Sequence, residues 1–143
     1  MIQRIQSIYL LLAGGAAFGT FGLPFASTDT AQTNSALFAD SVFNNMDSIA
    51  VLGSLVGAGA VMLITIFLFN NRKLQMNLTK FGLFLAGVAT GAGAYALGTD
   101  AALQKANPQL GLVLLVLVLL FGMLAFRAIK KDEALVRSVD RLR

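Results

Sequence analysis

Four long apolar stretches, none with a charged residue near its middle, leave this chain few ways to fold. A helix needs about 20 predominantly apolar residues to cross about 30 Å of hydrocarbon. A central Lys, Arg or Asp would cost about 2.5–3.5 kcal/mol on insertion scales. The stretches at about 2–25, 48–69, 78–97 and 108–126 meet both conditions. They predict an all-α membrane protein, a four-transmembrane-helix bundle forming a single membrane domain. Of the 143 residues, 57% are hydrophobic, above the roughly 45–50% of a soluble domain.

The first stretch is closed by Pro24. It has an alternative as a cleaved leader, with Arg4 as the basic part, Ile8 to Phe18 as the apolar part and small Ala26 and Ser27 beyond. A retained span with an unprocessed N-terminus is the expectation. Residues 26–47 are polar, carry Asp29, Asp40 and Asp47 without a basic residue, and form the expected exterior loop. Leu37, Phe38, Val42, Phe43 and Met46 are spaced either for a short amphipathic helix or as scattered apolar residues of a mobile loop. Asp47 or Ser48 caps the second span. A turn at Asn70, Asn71, Arg72 and Lys73 leads to the third, where Lys80 can snorkel to the headgroups. After a tight loop at 98–107, Asn107 and Pro108 have the pattern of N-cap and first helical residue of the fourth span. Residues 127–143 form a basic tail that continues as a helical extension into the cytoplasm, with Glu133 and Arg137 paired at i,i+4 and Leu135, Val139 and Leu142 on one stripe.

Basic residues decide the orientation. Of the 11 Lys and Arg, only Lys105 falls in the exterior loops. Arg4, Arg72, Lys73, Lys80, Arg127, Lys130, Lys131, Arg137, Arg141 and Arg143 share the other side. Positive-inside statistics then predict an inner-membrane protein with both termini in the cytoplasm. The sequence pI of 9.9 is thereby explained by topology, and no nucleic-acid partner is expected.

Three spans carry small residues at heptad spacing: Gly15, Gly19 and Gly22; Gly53, Gly57 and Ala60; Gly87, Gly91, Ala94 and Gly98. Without a hydrophobic force between helices in lipid, such stripes let backbones approach closely. They are the expected packing faces of helices one to three. The fourth span is nearly all large aliphatics and is expected at the periphery, facing lipid or a partner.

Chemistry is scarce. The chain has no His and no Cys, so the commonest metal and thiolate ligands are missing, and no metal or other cofactor is expected. No ionisable residue lies mid-span, where proton relays and ion pathways place theirs. Thr20, Ser54, Thr65, Thr90 and Tyr95 are the mid-span polar groups, best explained by bonds within or between helices. Asp29, Asp40, Asp47 and Asp100 are the remaining candidate bases and are expected to be solvated loop acids. A glycosylation-like triplet at Asn77, Leu78 and Thr79 falls on the cytoplasmic side and is discounted. Gln3, Arg4, Gln6 and Ser7 form a polar patch beside Asn70, Asn71 and Arg72 that suits ordinary interface anchoring or anionic headgroups.

The opening MIQRIQSIYLLLA, the four-span layout and the ending DEALVRSVDRLR together resemble a small family of membrane proteins of unknown function typical of Bacteroidetes-type bacteria. The most specific parts are Gln3, Arg4, Gln6, Ser7 and Tyr9 at one end and Asp132, Leu135, Val136, Arg137, Ser138, Asp140, Arg141 and Leu142 at the other. The resemblance implies an unprocessed N-terminus and a cytoplasmic-membrane location, and it brings no activity with it. The expectation is a non-enzymatic accessory or scaffolding subunit of a larger membrane assembly. A small homo-oligomeric channel or transporter and a lipid-binding protein are the alternatives. Expected partners are membrane lipids and other membrane subunits or further copies of the chain. The contact residues would be Gln3, Arg4, Gln6, Arg72, Lys73, Lys130, Lys131, Arg137 and Arg141.

Overall fold

A computed structural model describes the chain from Gln3 to Asp140, with side chains from Ile5 to Ser138. Four helices dominate: α1 (Gln3–Gly19), α2 (Ile49–Ile66), α3 (Arg72–Thr99) and α4 (Leu110–Asp140). Each contributes a segment long and apolar enough to cross a membrane. At about 1.5 Å per residue, α1 and α2 are about 26 and 27 Å long, whereas α3 and α4 reach about 42 and 46 Å. α1 packs between α2 and α4, and α3 packs between the same two helices on the opposite side. α3 begins at Arg72, ahead of the apolar stretch, because Asn71 Oδ1 accepts the Leu74 N–H (3.1 Å) and caps the helix. Apolarity marks what lipid surrounds, and a capped run of good helix formers extends beyond it.

The connections at the opposite end fold into a cap. Strands β1 (Ala26–Ser27), β2 (Val42–Phe43) and β3 (Asn107–Pro108) form one antiparallel sheet in the order β2-β1-β3. Segment 26–47 is therefore neither an amphipathic helix nor a loose loop. Phe25, Phe38 and Phe43 are all but fully buried beneath it, with ring centroids 5.6 Å (Phe25–Phe43) and 6.3 Å (Phe38–Phe43) apart. Leu37 joins them, while Met46 stays exposed. Nor do Asn107 and Pro108 open α4. They stay extended to pair with Ser27 and Ala26, after which the Gln109 and Gly111 N–H groups donate to the Phe25 and Pro24 carbonyls, both at 2.9 Å. Pro108, lacking an N–H, suits a short edge strand as well as a helix start.

Packing runs along faces other than the predicted ones. On α1 the inward line is Gln6, Leu10, Ala13 and Ala17; on α3 it is Gln75, Thr79, Gly82, Ala86 and Ala89. A Cβ added to Gly15, Gly22, Gly53, Gly87, Gly91 or Gly98 would meet nothing within 4 Å, and Ala94 is exposed. Of the predicted stripe, Gly19 and Gly57 have close neighbours, Leu114 and Leu85, each at 3.1 Å, and Ala60 is half-buried. Tighter approaches fall at Gly14, Gly59, Gly111 and Gly122, and Gly82 meets Met62 at 3.1 Å. Small residues surround much of the circumference of α3, so one residue of error in phase, about 100° of rotation, selects the wrong stripe. α4 is not peripheral either. Leu115, Val118, Ala125 and Ile129 enter the core, and Gly122 lets Leu83 and Met62 close over it. Its opposite face, including Val113 and Val116, stays exposed.

Gly111 makes the closest backbone approach. A Cβ there would collide with the Pro24 carbonyl and come within 2.7 Å of the Leu23 oxygen. Gly111→Ala is expected to destabilise the protein by about 1–3 kcal/mol through overpacking against rigid backbone. Gly91→Ala, directed into open space, should leave thermal unfolding in detergent micelles unchanged or raise its midpoint.

Candidate functional site

The end of the bundle that carries both termini concentrates the polar chemistry. α1 begins there, the turn at 67–71 hands α2 over to α3, and α4 runs past the turn to Asp140. Arg72 Nε lies 3.1 Å from Asp132 Oδ2, with both side chains mostly buried. Among the described residues no aligned N–H···O bond reaches that oxygen, so the contact with Arg72 is chiefly Coulombic. It ties the first turn of α3 to α4. Below it, Arg137 Nε donates to Glu133 Oε1 at 3.0 Å on the exposed flank, a pairing worth about 0.3–0.5 kcal/mol. Above it, Lys80 Nζ lies 5.5 Å from the centre of the Phe126 ring, so the ammonium is drawn to an aromatic face.

Inside this end lies a buried polar layer. Gln75 is fully buried and donates from Nε2 to the Thr65 carbonyl at 3.2 Å, near the end of α2. Thr79 donates back to the Gln75 carbonyl at 2.8 Å. Gln6 is also fully buried, and its amide has no hydrogen-bond partner among the described residues; the same holds for Gln75 Oε1. At the same end a shallow cavity of about 390 Å³ opens between the 67–71 turn and α4, lined by Phe69, Asn70, Asn71, Arg72, Lys73, Glu133 and Val136.

The structure sorts the predicted contact residues. Lys73, Lys130, Lys131 and Arg137 are exposed, and Arg72 is half-buried and engaged with Asp132. Gln6 is not a headgroup contact, because it points into the bundle on the line that Leu10, Ala13 and Ala17 continue. The Gln3 and Arg4 side chains and all of Arg141 lie outside the described residues, as do the Val139 side chain and Leu142 of the expected tail stripe; Leu135 is exposed. Asp132, Gln75 and Thr79 were missed as site residues. Helical spacing could have found them: Asp132 continues the inward line of Val118, Ala125 and Ile129, and Gln75 and Thr79 begin the line of Gly82 and Ala86.

The mid-span Ser and Thr hydroxyls serve their own helices, while Tyr95 is exposed. Thr20 donates to the Ala17 carbonyl (2.6 Å), Thr65 to that of Val61 (2.6 Å), Thr90 to that of Ala86 (2.9 Å), and Ser54 to that of Ala50. The loop carboxylates are mostly turn-builders. Asp100 accepts from Ser35 Oγ and the Ala102 N–H, both at 2.8 Å; Asp47 accepts from the Asn44 N–H at 2.6 Å; Asp40 accepts from the Val42 N–H at 3.3 Å. No group of three or more metal-ligating side chains occurs among the described residues.

The family described as "Domain of unknown function (DUF4293)" matches residues 2–142, and the chain belongs to it. No curated protein and no solved structure matches the chain.

Two outcomes follow from the geometry of this end. A double-mutant cycle of Arg72→Ala and Asp132→Ala, followed by thermal unfolding in micelles, should show coupling of about 0.5–3 kcal/mol. Gln6→Leu, which replaces a buried amide with no hydrogen-bond partner among the described residues by an apolar group of similar size, should raise stability by about 1 kcal/mol in the same assay.

Proposed function

We propose that this family member is a non-enzymatic protein of the bacterial inner membrane, with both termini in the cytoplasm, that serves as an accessory or scaffolding subunit of a larger membrane assembly. The orientation rests on the charge distribution, since ten of the 11 basic residues belong to the terminus-bearing end or the chain ends. The observation that carries the scaffold reading is the projecting end of α4. From Asp132 to Asp140 the helix extends about 12 Å beyond its tie to Arg72. Exposed Leu135, Val136 and Arg137 lie on it, and exposed Lys130 and Lys131 immediately precede it. A short helix presenting apolar and basic groups together suits an amphipathic groove on a partner.

The interior supports this reading over a path through the bundle. Leu10, Leu55, Met62, Val118 and Ile129 are fully buried side chains on its inward faces, and the hydroxyls that would line a path are bonded to their own helices.

Gentle detergent extraction at native abundance followed by native mass spectrometry is expected to recover a reproducible complex with another protein. Leu135→Glu combined with Arg137→Glu should lose that complex while lowering stability by no more than about 1 kcal/mol, the effect of exchanging the exposed Arg137–Glu133 pair for a like-charge one. Recovery of a bare monomer or homo-oligomer from the unmodified protein would overturn the reading. Because the chain has no cysteine, orientation can be tested separately. In intact spheroplasts a membrane-impermeant maleimide should label Thr33→Cys and spare Ser138→Cys.

A further inference from the structure

A cavity of about 330 Å³ lies between α3 and α4 in the cap-side half of the bundle. Its back wall is Phe25, Phe43, Val51 and Leu115, each at most 5% exposed. α3 contributes Thr90, Gly93, Ala94 and Leu97 to its sides, and α4 contributes Leu112, Val116 and Leu119. The mouth is lateral, with Ala94 exposed, Leu112 at 37% and Val116 at 63% exposure. It therefore opens where both helices have their membrane-crossing segments.

We propose that this cleft is a binding site for one hydrocarbon chain of a membrane lipid. The inference rests on the membrane-spanning character of the helices and is independent of the scaffold reading. The lining carries no charge, and its one polar side chain, Thr90, donates its hydroxyl to the Ala86 carbonyl. A polar headgroup or peptide would find no side-chain partner inside, and an apolar cavity does not hold water. An uncharged, flexible chain supplied by the surrounding bilayer is the chemistry that matches. Leaving bulk lipid for the cleft brings no hydrophobic gain, so affinity comes from van der Waals contact on three sides instead of one.

The small residues of α3 at this level have a use here. Gly93 and Ala94 open the cleft where longer side chains would fill it, and a Cβ on Gly93 would meet only Val51 Cγ2, at 3.8 Å. The site can therefore be filled from α3 without forcing backbone apart.

The full chain would be reconstituted into phosphatidylethanolamine and phosphatidylglycerol vesicles containing a trace of phospholipid with a mid-chain diazirine. After photolysis, labelled residues would be mapped by peptide mass spectrometry. Labelling of Leu97, Leu112 and Val116 is expected to be several-fold higher, relative to exposure, than labelling of Phe84 and Val113, which lie outside the cleft. Gly93→Leu should abolish the excess, and so should Ala94→Phe, a change at the exposed mouth that spares the interior. Gly87→Leu, pointing into open space, should preserve it. Labelling that simply follows exposure, or an excess that survives both filling substitutions, would overturn the proposal. So would efficient cross-linking between two copies from a photoreactive residue at position 94, which would assign the cleft to protein.

Discussion

Inside hydrocarbon a backbone N–H or C=O has no water to bond, and each one left unpaired costs several kcal/mol. That constraint shapes every part of this molecule. The four apolar segments are helices because a helix satisfies its backbone within itself. Where the chain must leave helical geometry at the cap, it pairs its backbone at once, through β1 with β2 and β3 and through the bonds from Gln109 and Gly111 to Phe25 and Pro24. The mid-span hydroxyls obey the same rule by bonding carbonyls one turn back.

Close approach comes second. Lipid tails are as apolar as leucine, so helices associate here by contact and shape. The contacts concentrate where a glycine or alanine meets a larger side chain: Gly14 against Leu63, Gly59 against Phe18, Gly122 against Leu83 and Met62. The small sheet adds a clamp by joining the α1–α2 connection to the start of α4. α4 is thereby held along α1 despite its bulky composition. Where small residues of α3 face outward they make no such contact, and the lateral cleft beside Gly93 and Ala94 is the space they leave.

The two ends of the bundle are built differently. The cap is closed by an aromatic cluster and by turns that occupy its carboxylates. The terminus-bearing end has buried amides at Gln6 and Gln75, an ion pair that fixes the direction of α4, and a helical projection with exposed basic and apolar side chains. The proposed scaffold role draws on that asymmetry. The projection is the part of the molecule whose apolar groups extend beyond the tie between α3 and α4, and the tie gives it a defined direction.

What the sequence determined by itself was the set of membrane-crossing segments and the gathering of charge at one end. Both follow from transfer free energies that each residue brings wherever it sits: a window of apolar residues prefers lipid, and Lys73, Lys130 or Arg137 does not. Family membership was legible too, from the two ends of the chain. Tertiary structure alone decided helix phase, the cap and the interior polar layer. Gly87 and Gly91 have the same spacing as residues that do pack, yet Gly82, Ala86 and Ala89 face inward, because phase depends on what the neighbouring helices offer. Gln6 resembles a surface anchor in the sequence, yet the folded bundle buries it, and Asn107 with Pro108 resembles a helix start, yet β1 offers a partner. The physical reason is common to all three: burial and pairing are relations between residues far apart in the chain, whereas the cost of leaving water belongs to each residue alone.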